Sequence, residues 1–230
     1  MSINEIIALL EQEYGALEWR PHADPVSVLI GTILSQNTSD INSHRAFDRL
    51  IETFGTWEMV AEAGVNEIAE AIRGGGLNRI KAVRIKACLE GILESQGSLG
   101  LSFLAHLSSS EAKAWLEKLP GVGPKTAACV LLFSLGKPAL PVDTHVYRVS
   151  RRLGLINSKV SPKEAHQLLE AMVPEEERYE FHFHMLAHGR KICQARRTLC
   201  HECVLKEHCP STSHKQERSN RRGAVRAVSG

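Results

Sequence analysis

Leu116-Glu117-Lys118-Leu119-Pro120-Gly121-Val122-Gly123-Pro124-Lys125-Thr126-Ala127-Ala128 closes one helix and opens the next across a turn built on two glycines. Glycines on either side of Val122 allow positive φ and leave backbone N–H groups uncovered, and Pro124 suits the first turn of a helix. Such a turn aims orphan amides and the positive end of a helix dipole outward, which fits a phosphate. A bare Gly-Val-Gly is equally a tight connection without chemistry. The lysine that follows adds to it: a helix N-terminus disfavours an ammonium, and a lysine acts as a nucleophile only as the neutral amine.

Outward from this hairpin, helical periodicity dominates. Ser2 and Glu5 fit a capping box ahead of Ile3, Ile6, Ile7 and Leu10, which recur at i, i+3, i+4 and i+7. Further starts stand at Asp24-Pro25, Ser39, Thr56 and Ser161-Pro162-Lys163-Glu164, with helical segments expected over 66–73, 77–95 and 110–119. Gly74-Gly75-Gly76 and Gly97 are breakers, and Pro138 and Pro141 bound an extended link. Strand-type alternation is nearly absent, so the fold class is all-α.

After the extended link, Pro141-Val142-Asp143-Thr144-His145-Val146-Tyr147-Arg148-Val149 begins a helix. Asp143 stands where an N-cap belongs. A fixed carboxylate there can also stabilise developing positive charge and assist proton transfer.

With 230 residues, 43% hydrophobic and 23% charged, the chain can bury a substantial core. No start resembles a signal peptide and no apolar run approaches the ~18 residues of a membrane span, so a cytoplasmic, nucleoid-associated protein is expected. The net charge of +2 hides an asymmetry: 190–230 holds ten Lys/Arg against three Glu, leaving 18 Lys/Arg and 23 Asp/Glu before it. The end of the chain, 211–230, lacks periodic apolar residues and reads as a basic disordered tail.

Two of the six cysteines, Cys88 and Cys129, lie on apolar helix faces and read as inert core. Cys193, Cys200, Cys203 and Cys209 crowd into 17 residues, too close for a disulfide framework inside a cell. Spacing alone leaves a structural zinc and an iron-sulfur cluster as equal readings. Arg196 and Arg197 fall between the first two cysteines, in a loop that a metal would tie at both ends.

Taken together, Leu-Pro-Gly-Val-Gly-Pro-Lys-Thr-Ala at 119–127, Val-Asp-Thr-His at 142–145 and the Cys-x6-Cys-x2-Cys-x5-Cys run resemble the endonuclease III family of helix-hairpin-helix DNA glycosylases, over roughly 5–210. The resemblance implies two helical lobes. A helical barrel with the hairpin would span 24–136, and an iron-sulfur cluster domain would combine 1–23 with 137–210. It implies Lys125 as nucleophile, Asp143 as its acidic partner, and a [4Fe-4S] cluster on Cys193, Cys200, Cys203 and Cys209. It also implies DNA contacts from Gln36, Asn37, Leu77, Gly121, Val122, Gly123, Thr144, His145, Arg196 and Arg197. Asn37 stands where the family usually has glutamine, and Leu77, which also fits a buried helix start, would be an apolar wedge.

The activity so implied is that of a bifunctional glycosylase and AP lyase, monomeric, removing oxidised pyrimidines from double-stranded DNA and cleaving abasic sites by β-elimination. The rival readings are an adenine-mismatch glycosylase, a methylcytosine glycosylase, which Ser35 to Asp40 also resembles, and a non-catalytic DNA-binding module held by zinc.

Overall fold

A computed structural model describes residues 2–212, so the expected basic tail lies outside the described residues except for Ser211 and Thr212. The described residues form eleven α-helices. In chain order they are α1 (Ile3–Tyr14), α2 (Pro25–Ser35), α3 (Asp40–Phe54), α4 (Trp57–Glu62), α5 (Val65–Ala71) and α6 (Asn78–Gln96). There follow α7 (Ser109–Leu116), α8 (Pro124–Leu135), α9 (Thr144–Leu153), α10 (Pro162–Met172) and α11 (Arg178–Lys191). Among the described residues there is no β-strand, only an isolated bridge between Cys193 and Thr198.

The starts follow the capping chemistry read from the sequence. Ser2 accepts from the Glu5 amide at 3.3 Å while Glu5 accepts from the Ser2 amide at 2.7 Å, and Asp24 accepts from Val26 and Ser27 at 3.0 Å each. The segments expected over 66–73 and 77–95 are found within two residues of those bounds, and one helix departs further. α7 ends at Leu116, not 119, because Lys118 and Leu119 bond back three residues, to Trp115 and Leu116, in turns that feed the hairpin.

Chain contacts divide the protein into two compact units, Trp19–Pro141 and Met1–Glu18 with Val142–Gly230. The first holds α2 to α8. Its α2 and α8 pack together and are apolar almost all round, with Leu29, Ile30, Ile33 and Leu34 of the one and Ala127 to Leu132 of the other buried. A helix buried on every side shows little amphipathic pattern.

Both edges of this unit extend beyond the expected 24–136. Trp19 Nε1 donates to the Leu132 carbonyl at 2.7 Å and the His22 amide to that of Phe133 at 2.9 Å, so the segment before α2 is stitched to α8. At the other end Lys137 Nζ donates to the Leu107 carbonyl at 2.6 Å, and Ala139 belongs to the core.

In the second unit α11 packs against both α1 and α9. Tyr14 and His188 join α1 to α11 by a 3.0 Å hydrogen bond. Gly189 lets α9 approach: a Cβ there would lie 2.9 Å from the Cβ of His145 and 3.1 Å from its Nδ1. No helix among the described residues is long and apolar enough to cross a membrane.

Gly189→Ala should therefore destabilise the protein by about 1–3 kcal/mol, the usual cost of overpacking a rigid contact. Urea denaturation checks this, and an unchanged midpoint would mean that α9 and α11 do not meet this closely.

Candidate functional site

Gly121 takes φ of +80° and Gly123 is extended at φ −109°, so the hairpin turns on one left-handed glycine where two were expected to be available. The positive φ strains any other residue at Gly121, and a Cβ there would sit 3.1 Å from the Arg84 side chain, which would have to give way. The expected row of free amides is shorter than the motif suggests. Val122 donates to the Leu119 carbonyl at 3.1 Å and its side chain is buried, whereas the amides of Gly121, Gly123 and Lys125 have no acceptor among the described residues. Lys125 is half-buried in the first turn of α8, after Gly123 as cap and Pro124, and its ammonium makes no hydrogen bond or ion pair among the described residues.

Asp143 caps α9. Its Oδ1 accepts from His145 at 2.8 Å and Val146 at 2.7 Å, which leaves Oδ2 without a hydrogen bond among the described residues. Thr144 is exposed, and His145 Nδ1 lies 3.0 Å from Arg148 Nη2. Lys125 and Asp143 belong to different units, so each is placed here by its own helix terminus.

Within the first unit the structure brings three loops to one face of α6. Arg84 Nη1 donates to Gln36 Oε1 at 2.7 Å while its stem lies against Gly121. Asn37 is exposed with φ 53°, and Leu77, 51% exposed with φ 51°, is no buried helix start. These are the only two non-glycine residues with positive φ among the described residues. Sparsely populated backbone of this kind persists where the surroundings enforce it, and it clusters at functional positions.

The four cysteines of the second unit are free thiols, half-buried, on the short turns that follow α11. Burial pushes the Cys203 thiol up to about 11; the Leu205 amide opposes this, and the thiols of Cys209, Cys193 and Cys200 add to it, so all four share one neighbourhood. Arg152 ties the two ends of the run together. Its guanidinium donates to Cys193 Sγ at 3.3 Å and to the carbonyls of Cys193 and Gln194, and its own carbonyl accepts from Cys209 Sγ at 3.4 Å. His188, which burial pulls down to about 4, places Nε2 3.5 Å from Cys203 Sγ.

As the side chains stand, no group of three or more His, Cys, Asp or Glu among the described residues is arranged to hold a metal ion. The donor set itself, four free thiols and no disulfide, fits an all-thiolate cluster. Arg196 and Arg197 are exposed on the loop between the first two cysteines, and Cys88 and Cys129 are buried in the core, with burial pushing Cys88 up to about 12.

Sequence reading missed Arg152, His188 and Lys81. Arg152 lies in the last turn of α9, where a basic residue simply complements the helix dipole. Lys81 did carry a signal. It shares the stripe of Ile85, Cys88, Leu89 and Ile92, an apolar face on which a lysine does not belong.

Residues 30–175 match the model of the HhH-GPD superfamily of base excision DNA repair proteins. Endonuclease III of Thermotoga maritima is 39% identical over 186 residues, 81% of this chain and 83% of that one. A solved non-covalent endonuclease III–DNA complex matches with a TM-score of 0.81 at 29% identity, covering 94% of this chain and 97% of that chain. A trapped covalent intermediate of endonuclease III with DNA matches at 0.79 and 30%, covering 93% and 97%.

The cap and any chemistry of Asp143 can be separated. Asparagine caps nearly as well as aspartate while alanine does not, so Asp143→Asn should change stability by less than about 0.5 kcal/mol and Asp143→Ala should lower it by about 1–2 kcal/mol. Equal losses in chemical denaturation would show that the charge, and not the cap, is what α9 needs.

Proposed function

The chain belongs to the HhH-GPD superfamily of base excision DNA repair proteins, within its endonuclease III family, and from that membership we propose how its residues divide the work. It is a DNA glycosylase of base excision repair whose partner is double-stranded DNA with damaged bases. The finer reading is a bifunctional enzyme, glycosylase and AP lyase, acting on oxidised pyrimidines. The observation that carries it is Lys125, a lysine without a partner among the described residues, in the first turn of α8 and directly after hairpin amides that have no acceptor among them.

In this reading the amides of Gly121 and Gly123, with the dipole of α8, bind a backbone phosphate. The neutral amine of Lys125 attacks the sugar C1′ as the C1′–N bond to the base breaks, and the base takes up a proton. The C1′–O4′ bond of the resulting aminal then breaks as O4′ takes up a proton, which opens the sugar ring and leaves a Schiff base between the lysine and C1′; this acidifies the C2′ proton, whose removal expels the 3′ phosphate, and hydrolysis frees the lysine. Asp143 keeps one oxygen on its cap and has the other available to stabilise the sugar's positive charge or move a proton. Asn37 and Leu77 are the residues proposed to enter the duplex when the damaged nucleotide is turned out. Thr144 and His145 would add backbone contacts beside Asp143, and Gln36, held by Arg84, would support Asn37.

Cys193, Cys200, Cys203 and Cys209 would hold a [4Fe-4S] cluster. When bound, it cross-links the turns after α11, and the loop with Arg196 and Arg197 is thereby fixed as a phosphate-binding element.

Lys125→Gln should abolish base removal, strand cleavage and covalent trapping by borohydride while preserving affinity for duplex DNA; trapping at the wild-type level would remove Lys125 from the mechanism. Asp143→Asn should lose roughly 10²-fold or more in turnover. Neutralising Arg196 and Arg197 together should make log affinity against log salt shallower by about 2, at unchanged iron content. An unaltered slope would take both arginines off the DNA.

A further inference from the structure

Lys81 is 1% exposed, one of the largest fully buried side chains of its unit. Its Nζ donates to the Leu34 carbonyl at 2.7 Å and the Gly75 carbonyl at 2.6 Å, and makes no ion pair among the described residues. Burial pushes this ammonium below its usual range. An ammonium taken out of water without a carboxylate is an expensive core residue, and a leucine or methionine on the same stripe would pack at no such cost.

What the ammonium does instead is join two segments. Leu34 is in the last turn of α2, whose carbonyls have no donors inside the helix. Gly75 is in the glycine loop that leads into α6. The chain leaves Leu34 for Asn37 within three residues and leaves Gly75 for Leu77 within two. Asn37 and Leu77 are the two left-handed non-glycine residues, and the loops that carry them touch: a Cβ on Gly76 would lie 3.6 Å from the Asn37 carbonyl oxygen and 3.5 Å from Thr38 Oγ1. One buried charge thus fastens both strained positions at their roots.

We propose that Lys81 is a positioning residue for nucleotide extrusion: bridging the Leu34 and Gly75 carbonyls, it presets Asn37 and Leu77 in the backbone conformation from which they enter the duplex. The proposal rests on the DNA-repair reading and deepens it, since it assigns the opening of the duplex to a residue that touches neither DNA nor the reacting atoms.

The test uses the full-length, cluster-loaded protein and Lys81→Met, which keeps the stem and removes the donors. Two duplexes are compared in single turnover, one with an oxidised pyrimidine paired to its normal partner and one with an abasic site, which has no base to unstack. 2-Aminopurine beside the lesion on the same strand, which leaves the lesion's own pair intact, reports unstacking by its fluorescence. Extrusion of a paired base costs a few kcal/mol, so loss of even part of the preset should slow excision by ~10-fold or more. Cleavage at the abasic site and affinity for undamaged DNA should stay within about twofold, and the 2-aminopurine signal should fall with excision.

Equal losses on both duplexes, or none on either, would overturn the proposal. Should Lys81→Met fail to fold, Lys81→Gln, which keeps a donor for one carbonyl, carries the same test and should show a smaller loss with the same selectivity. A wild-type protein inactive on both duplexes would overturn the repair reading itself, and this proposal with it.

Discussion

Every α-helix leaves the amides of its first turn and the carbonyls of its last without partners inside the helix. In a protein built of helices, those ends are where unsatisfied polarity has to collect, and this chain places its chemistry on them. Lys125 is in the first turn of α8, Asp143 is the cap of α9, Leu77 precedes α6, and the cysteine run begins where α11 stops. A single cation, Lys81, satisfies a carbonyl at the end of α2. The core's task is to hold these termini still, and the near-complete burial of α2 and α8 does so for the face that carries the hairpin.

What could be read from the sequence was whatever is local. A cap and its partner lie three residues apart, so Ser2 with Glu5 and Ser161 with Glu164 were legible as helix starts. The hairpin, the Val-Asp-Thr-His segment and the cysteine spacing are equally short-range, and they carried the family resemblance. Contacts made by folding were not legible. Nothing near Val122 indicates that its amide is consumed by Leu119, and nothing near Arg152 indicates that it reaches Cys193, 41 residues on. The same holds for the unit edges: Pro138 and Pro141 mark an extended link, but only the packing of Ala139 and the reach of Lys137 assign that link to the hairpin's unit.

Charge is poorly legible in a sequence, because the chain alone does not show whether a cation faces water or backbone carbonyls. On the surface a lysine or arginine is unremarkable. Half-buried, Arg148 and Arg152 of α9 are explained by what they hold. Arg148 donates to the Cys193 and Gly189 carbonyls, and Arg152 to those of Cys193, Gln194 and Ala195, so two guanidiniums of α9 anchor the entry to the cysteine run through backbone oxygens. Residues used in this way make the loop's shape depend on α9 as well as on any metal.

The unit that carries the cysteines is discontinuous: α1 packs on α11, and the hydrogen bond from Tyr14 to His188 joins residues 174 apart. During synthesis the chain is made from its N-terminus, so Ile6, Ile7 and Leu10 leave the ribosome long before the surface that will cover them exists. The hairpin's unit, whose contacts are nearer in sequence, can be complete while α1 still waits. Docking of α1 is then a late event, closing a loop that encloses a folded unit in place of a long flexible chain, which lowers the entropy that the closure must overcome.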